Sequence, residues 1–359
     1  MNSLRESSTP LPKISVVMPV RNGSAFLPQA INSILKQTYT DFEFIVVDDA
    51  SSDETPAILK SVADPRLFVL TNDKNIGVSA SLNRGIEHSN APLIARMDAD
   101  DVCMPERLSR QVGFMDANPK VVLCGTEAVR IDQHGNRLNY IKRLGSNVEI
   151  RWHLLTANPF IHPSVVFRTN AFRRVGGYSP ELPCAQDYDL WCRLSLQGEC
   201  ANLLDALVQY RFHDHAISAQ KRDRQLQVTR ERSHQYLFET GLAKSEVDAA
   251  VVSAFSALSK HDALNRDVIH NALSRYHVIT EDFFRQFNSS DTHVAESIRR
   301  CRRKISQNVT RRVNAGSYRI LRNAKLILLA RRIDPSAITT KRLLKKIWNC
   351  GRATGKTHP

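Results

Sequence analysis

Ile14-Ser-Val-Val-Met-Pro-Val20, Phe44-Ile-Val-Val-Asp-Asp49 and Leu93-Ile-Ala-Arg-Met-Asp-Ala-Asp-Asp101 decide the architecture. Each is a short, mainly apolar run, the first two rich in β-branched residues, and the second and third close on acids. Working outward, strand patterns recur at 14–20, 43–49, 66–71, 93–98, 121–131, 164–168 and 207–212. Helical patterns lie between the early ones at 25–37, 54–62 and 78–88. Strand, helix, strand repeated in this way predicts right-handed crossovers and a mainly parallel sheet with helices on its faces, an α/β fold. Ligands of such sheets gather at the carboxyl ends of the strands. Beyond about residue 222 the strand signals stop and the pattern becomes helical.

The chain has 359 residues, 42% of them hydrophobic, enough for one large domain and an appendage. Its net charge of +14 is uneven. Residues 301–359 hold 16 Lys or Arg against one acid, Asp334, while residues 1–300 carry 34 basic and 35 acidic side chains. An anionic partner is therefore expected only for the tail. The expected division is a flexible N-terminus over 1–13, a catalytic domain over 14–220, a helical region over 221–300 and a basic helical tail over 301–359. Seven cysteines, none in Cys-x-x-Cys spacing, read as reduced structural thiols. The absence of a long apolar run and of a secretory leader pattern leads to an expectation of a cytoplasmic protein, or one peripheral at the inner face of a membrane.

In Asp98-Ala99-Asp100 two acids sit two apart at a strand end, so both are expected on one face with Ala99 turned away. Such hard oxygen ligands suit Mg²⁺ or Mn²⁺ that keeps positions open for phosphate oxygens. The alternative is that the acids cap the helix opened by Pro105 and Glu106, and for Asp101 the two readings stand level. Asp48 and Asp49 at the tip of the second strand suit hydrogen bonds to a base or ribose, while Ser52 or Asp53 suffices to cap the helix that follows. An acid after a strand also serves nicotinamide enzymes, but the first turn, Pro19-Val20-Arg21-Asn22-Gly23, lacks the G-x-G-x-x-G fingerprint. In Gln186-Asp187-Tyr188-Asp189-Leu190-Trp191 a helix begins, and its dipole is expected to lower the pKa of Asp187. A carboxylate there can deprotonate an attacking hydroxyl, or Asp187 or Asp189 simply caps the helix.

Together these segments resemble the family-2 glycosyltransferases, inverting enzymes of GT-A fold. The resemblance rests on residues 14–23, 44–53, 75–85 and 97–101, on His162-Pro-Ser-Val-Val-Phe167 and on 186–191, in family order, and covers about 14–218. It implies a GT-A type nucleotide-binding fold followed by a helical C-terminal region. It further implies that Pro19, Val20 and Asn22 line the nucleotide pocket, that Asp49 pairs with the base, usually uracil, that Asp98 holds the ribose side, that Asp100 binds the metal and that Asp187 is the general base. Tyr210-Arg211-Phe212-His213 resembles a loop that lends a histidine to the metal in some members, so His213 is a candidate ligand, with a surface histidine as the alternative. Gln186 stands where the family usually has Glu, and Leu82 where some members have Arg near the phosphates.

The expected reaction is transfer of a sugar from a nucleotide-sugar donor, UDP-linked, to a glycan or lipid-linked acceptor, with Mn²⁺ or Mg²⁺ as cofactor. The segment 158–164 with His162 is expected to border the acceptor, unless Pro159 and Pro163 merely pack the start of a strand. No specific nucleic acid is expected as a partner. In the tail, Ile320, Leu321, Ala324, Ile327 and Leu328 form an apolar stripe with Arg319, Arg322, Lys325 and Arg332 mainly opposite, so 315–350 is a candidate for anionic membrane surfaces. The rival from another class is a polyanion- or nucleic-acid-binding protein acting through that tail. A nucleotidyltransferase is disfavoured because no Gly-rich loop with a basic residue suited to a triphosphate is present.

Overall fold

The computed structural model describes residues 11–212, 222–255 and 266–315. These fall into two compact units, one of residues up to Ile150 with Asn158–Thr229, the other of Arg151–Ala157 with the chain from Arg230 onward.

The first unit is built on one sheet. Its elements run β1 (Ile14–Val20), α1 (Leu27–Leu35), β2 (Phe42–Asp48), α2 (Thr55–Ser61), β3 (Leu67–Thr71), α3 (Val78–Glu87), β4 (Leu93–Arg96), β5 (Val102–Cys103) and α4 (Arg107–Ala117). There follow β6 (Val121–Ile131), β7 (Arg137–Ile141), α5 (Asn147–Leu154), which belongs to the second unit from Arg151 onward, β8 (Val166–Arg168), α6 (Thr169–Arg174), α7 (Gln186–Ser195) and β9 (Glu199–Arg211). The strand order is β3-β2-β1-β4-β8-β6-β9-β5, with β7 on β6. β1 runs parallel to β2 and β4, β2 to β3, and β6 to β9. β8 is inserted antiparallel between β4 and β6, and β5 and β7 are also antiparallel. Most of the paired length is parallel, as the alternation of elements predicts.

β1 is apolar without alternation because it is covered on both faces: Val16, Val17 and Met18 are fully buried. α1 presents Leu27, Ala30, Ile31 and Ile34, spaced i, i+3, i+4, i+7, to the core and carries a proline in its first turn. Burial of its three larger side chains contributes about 1.5–3 kcal/mol each. α3 covers the sheet at Gly85, where a Cβ would lie 2.7 Å from Val17 Cγ1 and 3.0 Å from Val47 Cγ2.

Several expected boundaries move. β4 stops at Arg96, so Asp98 and Asp100 lie in a turn and not on a pleated strand, and the turn, not alternation, brings them together. The strand pattern at 207–212 is the second half of β9, which begins at Glu199. His162–Ser164 forms a 3-10 turn ahead of β8.

The second unit is helical: the later part of α8 (Arg222–Glu239), α9 (Glu246–Phe255), α10 (Arg266–Arg285) and α11 (Thr292–Ala315). Trp152 is its aromatic centre, with ring centroids 6.0 Å from Tyr276, 5.0 Å from Phe283 and 6.1 Å from Phe284. The boundary expected near 220 lies outside the described residues, as does the candidate membrane segment from 316 onward. The charge change near 300 falls inside α11. Among the described residues, six cysteines are free and buried. Among the described residues, no helix is long and apolar enough to cross a membrane.

A candidate active site at the strand ends

The turns after β1 and β2 are tied to each other by polar groups. Asn22 adopts a left-handed backbone, φ 52°, and its N–H donates to Ser51 Oγ at 2.9 Å while its Oδ1 accepts the Ser52 N–H at 2.8 Å. Gly23 N–H donates to Thr55 Oγ1 at 2.9 Å, and a Cβ on Gly23 would meet Val20 Cγ2 at 2.6 Å. Asp53 precedes Glu54, the N-cap residue of α2, and accepts the Thr55 N–H and the Ser24 N–H, so it ties the two turns together where a helix cap was expected. Pro19 and Val20 end β1 beside this knot. Asp49 is buried at the tip of β2. Its Oδ1 accepts from Asn72 Nδ2 and Ile76 N–H, both at 2.8 Å, and its Oδ2 accepts the Gly77 N–H at 2.9 Å. The carboxylate thus shapes the loop 72–77. Leu82 is fully buried on α3.

The turn after β4 concentrates negative charge. Ligand atoms of Asp98, Asp100 and Asp101 all lie within 4.8 Å of one another. Asp98 pairs with buried Arg96. Burial pushes its carboxyl above the ordinary range; Arg96 pulls it back, and Asp100 and Asp187 add to the rise. Asp101 does not cap α4. Its Oδ1 accepts the Arg211 N–H at 2.6 Å, and its Oδ2 is buried with no hydrogen-bond partner among the described residues. Burial, then Asp100 and Asp98, push the Asp101 carboxyl well up. An unpartnered buried carboxylate oxygen beside two more carboxylates is what a hard divalent cation satisfies, so this donor set fits Mn²⁺ or Mg²⁺. His213 lies outside the described residues.

Across from the acids, α7 opens after Ala185, whose φ is 57°. Asp187 is in its first turn and accepts Asn158 Nδ2 at 2.6 Å. The lowered pKa expected from the helix dipole is not found. Burial raises the carboxyl, and the N–H groups of the first turn, Arg96 and Asn158 offset this only in part. Asp189 is turned away toward Arg193, at 2.6 Å, and Ser179, at 2.9 Å. His162 Nε2 is 2.9 Å from the Tyr178 hydroxyl, and its ring meets Trp191 edge-on. Burial, then Arg96, holds its imidazole well below the usual range and so neutral.

Arg96, Asn158 and Arg211 were not singled out from sequence as holding the acids in place. Arg96 and Arg211 each sit at the end of an apolar strand, where a buried cation needs a partner, and that was the legible signal.

The sequence pattern of Glycosyl transferase family 2 matches residues 15–176. The chain is 37% identical over 192 residues to the amylovoran biosynthesis glycosyltransferase AmsE of Erwinia amylovora, covering 52% of this chain and 70% of that one. It is 34% identical over 206 residues to the putative glycosyltransferase EpsE of Bacillus subtilis (strain 168), covering 56% and 73%. Among solved structures, S. aureus TarS 1-349 in complex with UDP-GlcNAc superposes with a TM-score of 0.54 at 18% identity, over 90% of this chain and 91% of that one, a likeness of fold. With the tied turns after β1 and β2, the acid cluster and the carboxylate of α7 on one sheet, these relationships settle the assignment: the chain belongs to glycosyl transferase family 2 and is a glycosyltransferase.

Proposed function

We propose that the enzyme moves a sugar from a UDP-linked donor to an acceptor hydroxyl with inversion, in synthesis of a cell-surface polysaccharide or glycolipid. The observation that carries this reading is the placement of Asp187, held by Asn158, within the field of the acid cluster at Asp98. The raised pKa of Asp187 makes it a stronger base than a solvated carboxylate, which suits proton abstraction. Asp187 takes the acceptor's proton; the acceptor oxygen forms a bond to the anomeric carbon from the opposite face as the bond to the diphosphate breaks. Neutral His162, fixed by Tyr178, borders the acceptor and can hydrogen-bond its hydroxyls. Asn22 and the Pro19-Val20 turn line the nucleotide, and Asp49, with three lone-pair directions used, retains one for a base N–H. Asp98 holds the ribose side. Asp100, with Asp98 and Asp101 beside it, would hold Mn²⁺ or Mg²⁺, which when bound neutralises charge on the departing diphosphate.

The polysaccharide assignment leans on the name of the Erwinia relative, and the uracil preference on the family resemblance. A panel of UDP-, GDP-, dTDP- and CDP-sugars, assayed for nucleoside diphosphate release with Mn²⁺ and with chelator, tests both. The expected result is turnover of UDP-sugars only when metal is present. Turnover indifferent to chelation, or release from none of the panel, would remove the reading.

A further inference from the structure

We infer that Arg211 is the positioning residue of the acid cluster: it fixes the turn 98–101 so that its carboxylates converge. This rests on the metal-binding reading given above. Arg211 is the last residue of β9 and is 3% exposed. Its backbone N–H donates to Asp101 Oδ1 at 2.6 Å, and its Nε donates to the Asp100 carbonyl at 2.7 Å. Nη1 donates to the carbonyls of Asp132, at 3.0 Å, and Gln133, at 3.3 Å, in the turn between β6 and β7. Nη2 donates to Gln29 Oε1 on α1 at 2.7 Å, and the guanidinium lies 4.5 Å from the ring centroid of Phe26.

One residue therefore clamps the acid turn to three separate elements, β9, the β6–β7 turn and α1. The consequence is legible at Asp101. With Oδ1 held by the backbone N–H of Arg211, whose place the anchored guanidinium fixes, Oδ2 is left buried with no hydrogen-bond partner among the described residues, in the cluster with Asp98 and Asp100. Three like charges repel, and without a clamp the turn would open to separate them. A lysine keeps the charge but offers a single ammonium, which cannot reach carbonyls in two turns and Gln29 together. A role limited to charge balance would thus survive Arg211→Lys, whereas a positioning role would not.

Calorimetry of UDP binding across a series of Mn²⁺ concentrations, with a thermal melt of each protein, separates these. Arg211→Lys is expected to melt cooperatively, to bind UDP without metal as the wild type does, and to need at least about 10-fold more Mn²⁺ for half-maximal enhancement. Gln29→Ala, which removes one anchor from an exposed position, is expected to raise that requirement about 2- to 3-fold. A folded Arg211→Lys with wild-type Mn²⁺ requirement overturns the proposal, as does a loss of UDP affinity equal with and without Mn²⁺. If Arg211→Lys fails to fold, Gln29→Ala decides, and an unchanged Mn²⁺ requirement counts against the clamp. Wild-type UDP binding that ignores both Mn²⁺ and chelator would instead overturn the metal reading, and the clamp with it.

Discussion

Burial raises Asp98, Asp101 and Asp187 alike, but Asp187 and Asp101 serve different ends. Asp187 stands apart from the metal-type cluster and is held by a neutral donor, Asn158. Asp187→Asn should lower turnover by roughly 10²-fold or more while leaving UDP affinity within about 2-fold of wild type, as expected for loss of a general base. Steady-state kinetics beside calorimetry measures both, and turnover within a few-fold of wild type would reduce Asp187 to a structural carboxylate. Asp101, by contrast, is raised by burial and by Asp100 and Asp98. A carboxyl whose folded pKa is raised stabilises the fold while protonated, a contribution complete below its unfolded pKa and lost as pH rises through the folded one. The metal-free cluster is thus a destabilising element near neutrality, and a cation removes that strain. The rise in melting temperature produced by MnCl₂ should therefore be greatest near about pH 8 and shrink toward about pH 5, as protons compete for the same oxygens. A Mn²⁺-induced shift of constant size across that range would contradict this account of the acids.

Among the elements, α3 tests how the site is held from behind. Gly85 lets α3 sit against Val17 and Val47 of the central strands. Gly85→Ala gains about 1 kcal/mol of helix propensity but overpacks this contact at a cost of about 1–3 kcal/mol. A lowered urea midpoint is expected, and a raised midpoint would show that the helix can shift freely. The elements that were legible are those whose chemistry is one-sided or wholly apolar: β1 and β6 run over the residues their patterns mark, and α1, α2 and α3 agree to within two residues at each end. β5 is two residues long and β7 is exposed along most of its length, so neither has a periodic signal. The first half of β9 carries Glu199, Asn202 and Asp205 among its apolar residues, which hid it. In the site, Asp98 and Asp100 were readable as a pair because acids after an apolar run are unusual. For Asp101 local sequence suits capping and function equally, and its partner Arg211 lies 110 residues away, a pairing that only the sheet creates. At Asp187 the first-turn N–H groups do favour the carboxylate, but burial, which local sequence does not disclose, outweighs them.

At the scale of the whole molecule, the basic residues of 301–359 follow the sheet unit in sequence, and most of them lie outside the described residues. From their sequence we expect recruitment to anionic membranes, each basic side chain near the surface contributing on the order of 1 kcal/mol. Full-length protein should float with anionic but not neutral liposomes, and a version ending at Asn314 should float with neither. Equal recovery of both on anionic vesicles, or of neither, removes that role from the segment. The central claim, that a cation held by the acid turn joins the enzyme to its donor's diphosphate, has a more direct test. Titrate UDP into wild type and Asp100→Ala by calorimetry, with Mn²⁺ and with chelator. Wild type should bind at least about 10-fold more tightly with Mn²⁺, and Asp100→Ala should show the same weak affinity under both conditions. Metal-enhanced affinity that persists in Asp100→Ala would contradict the account.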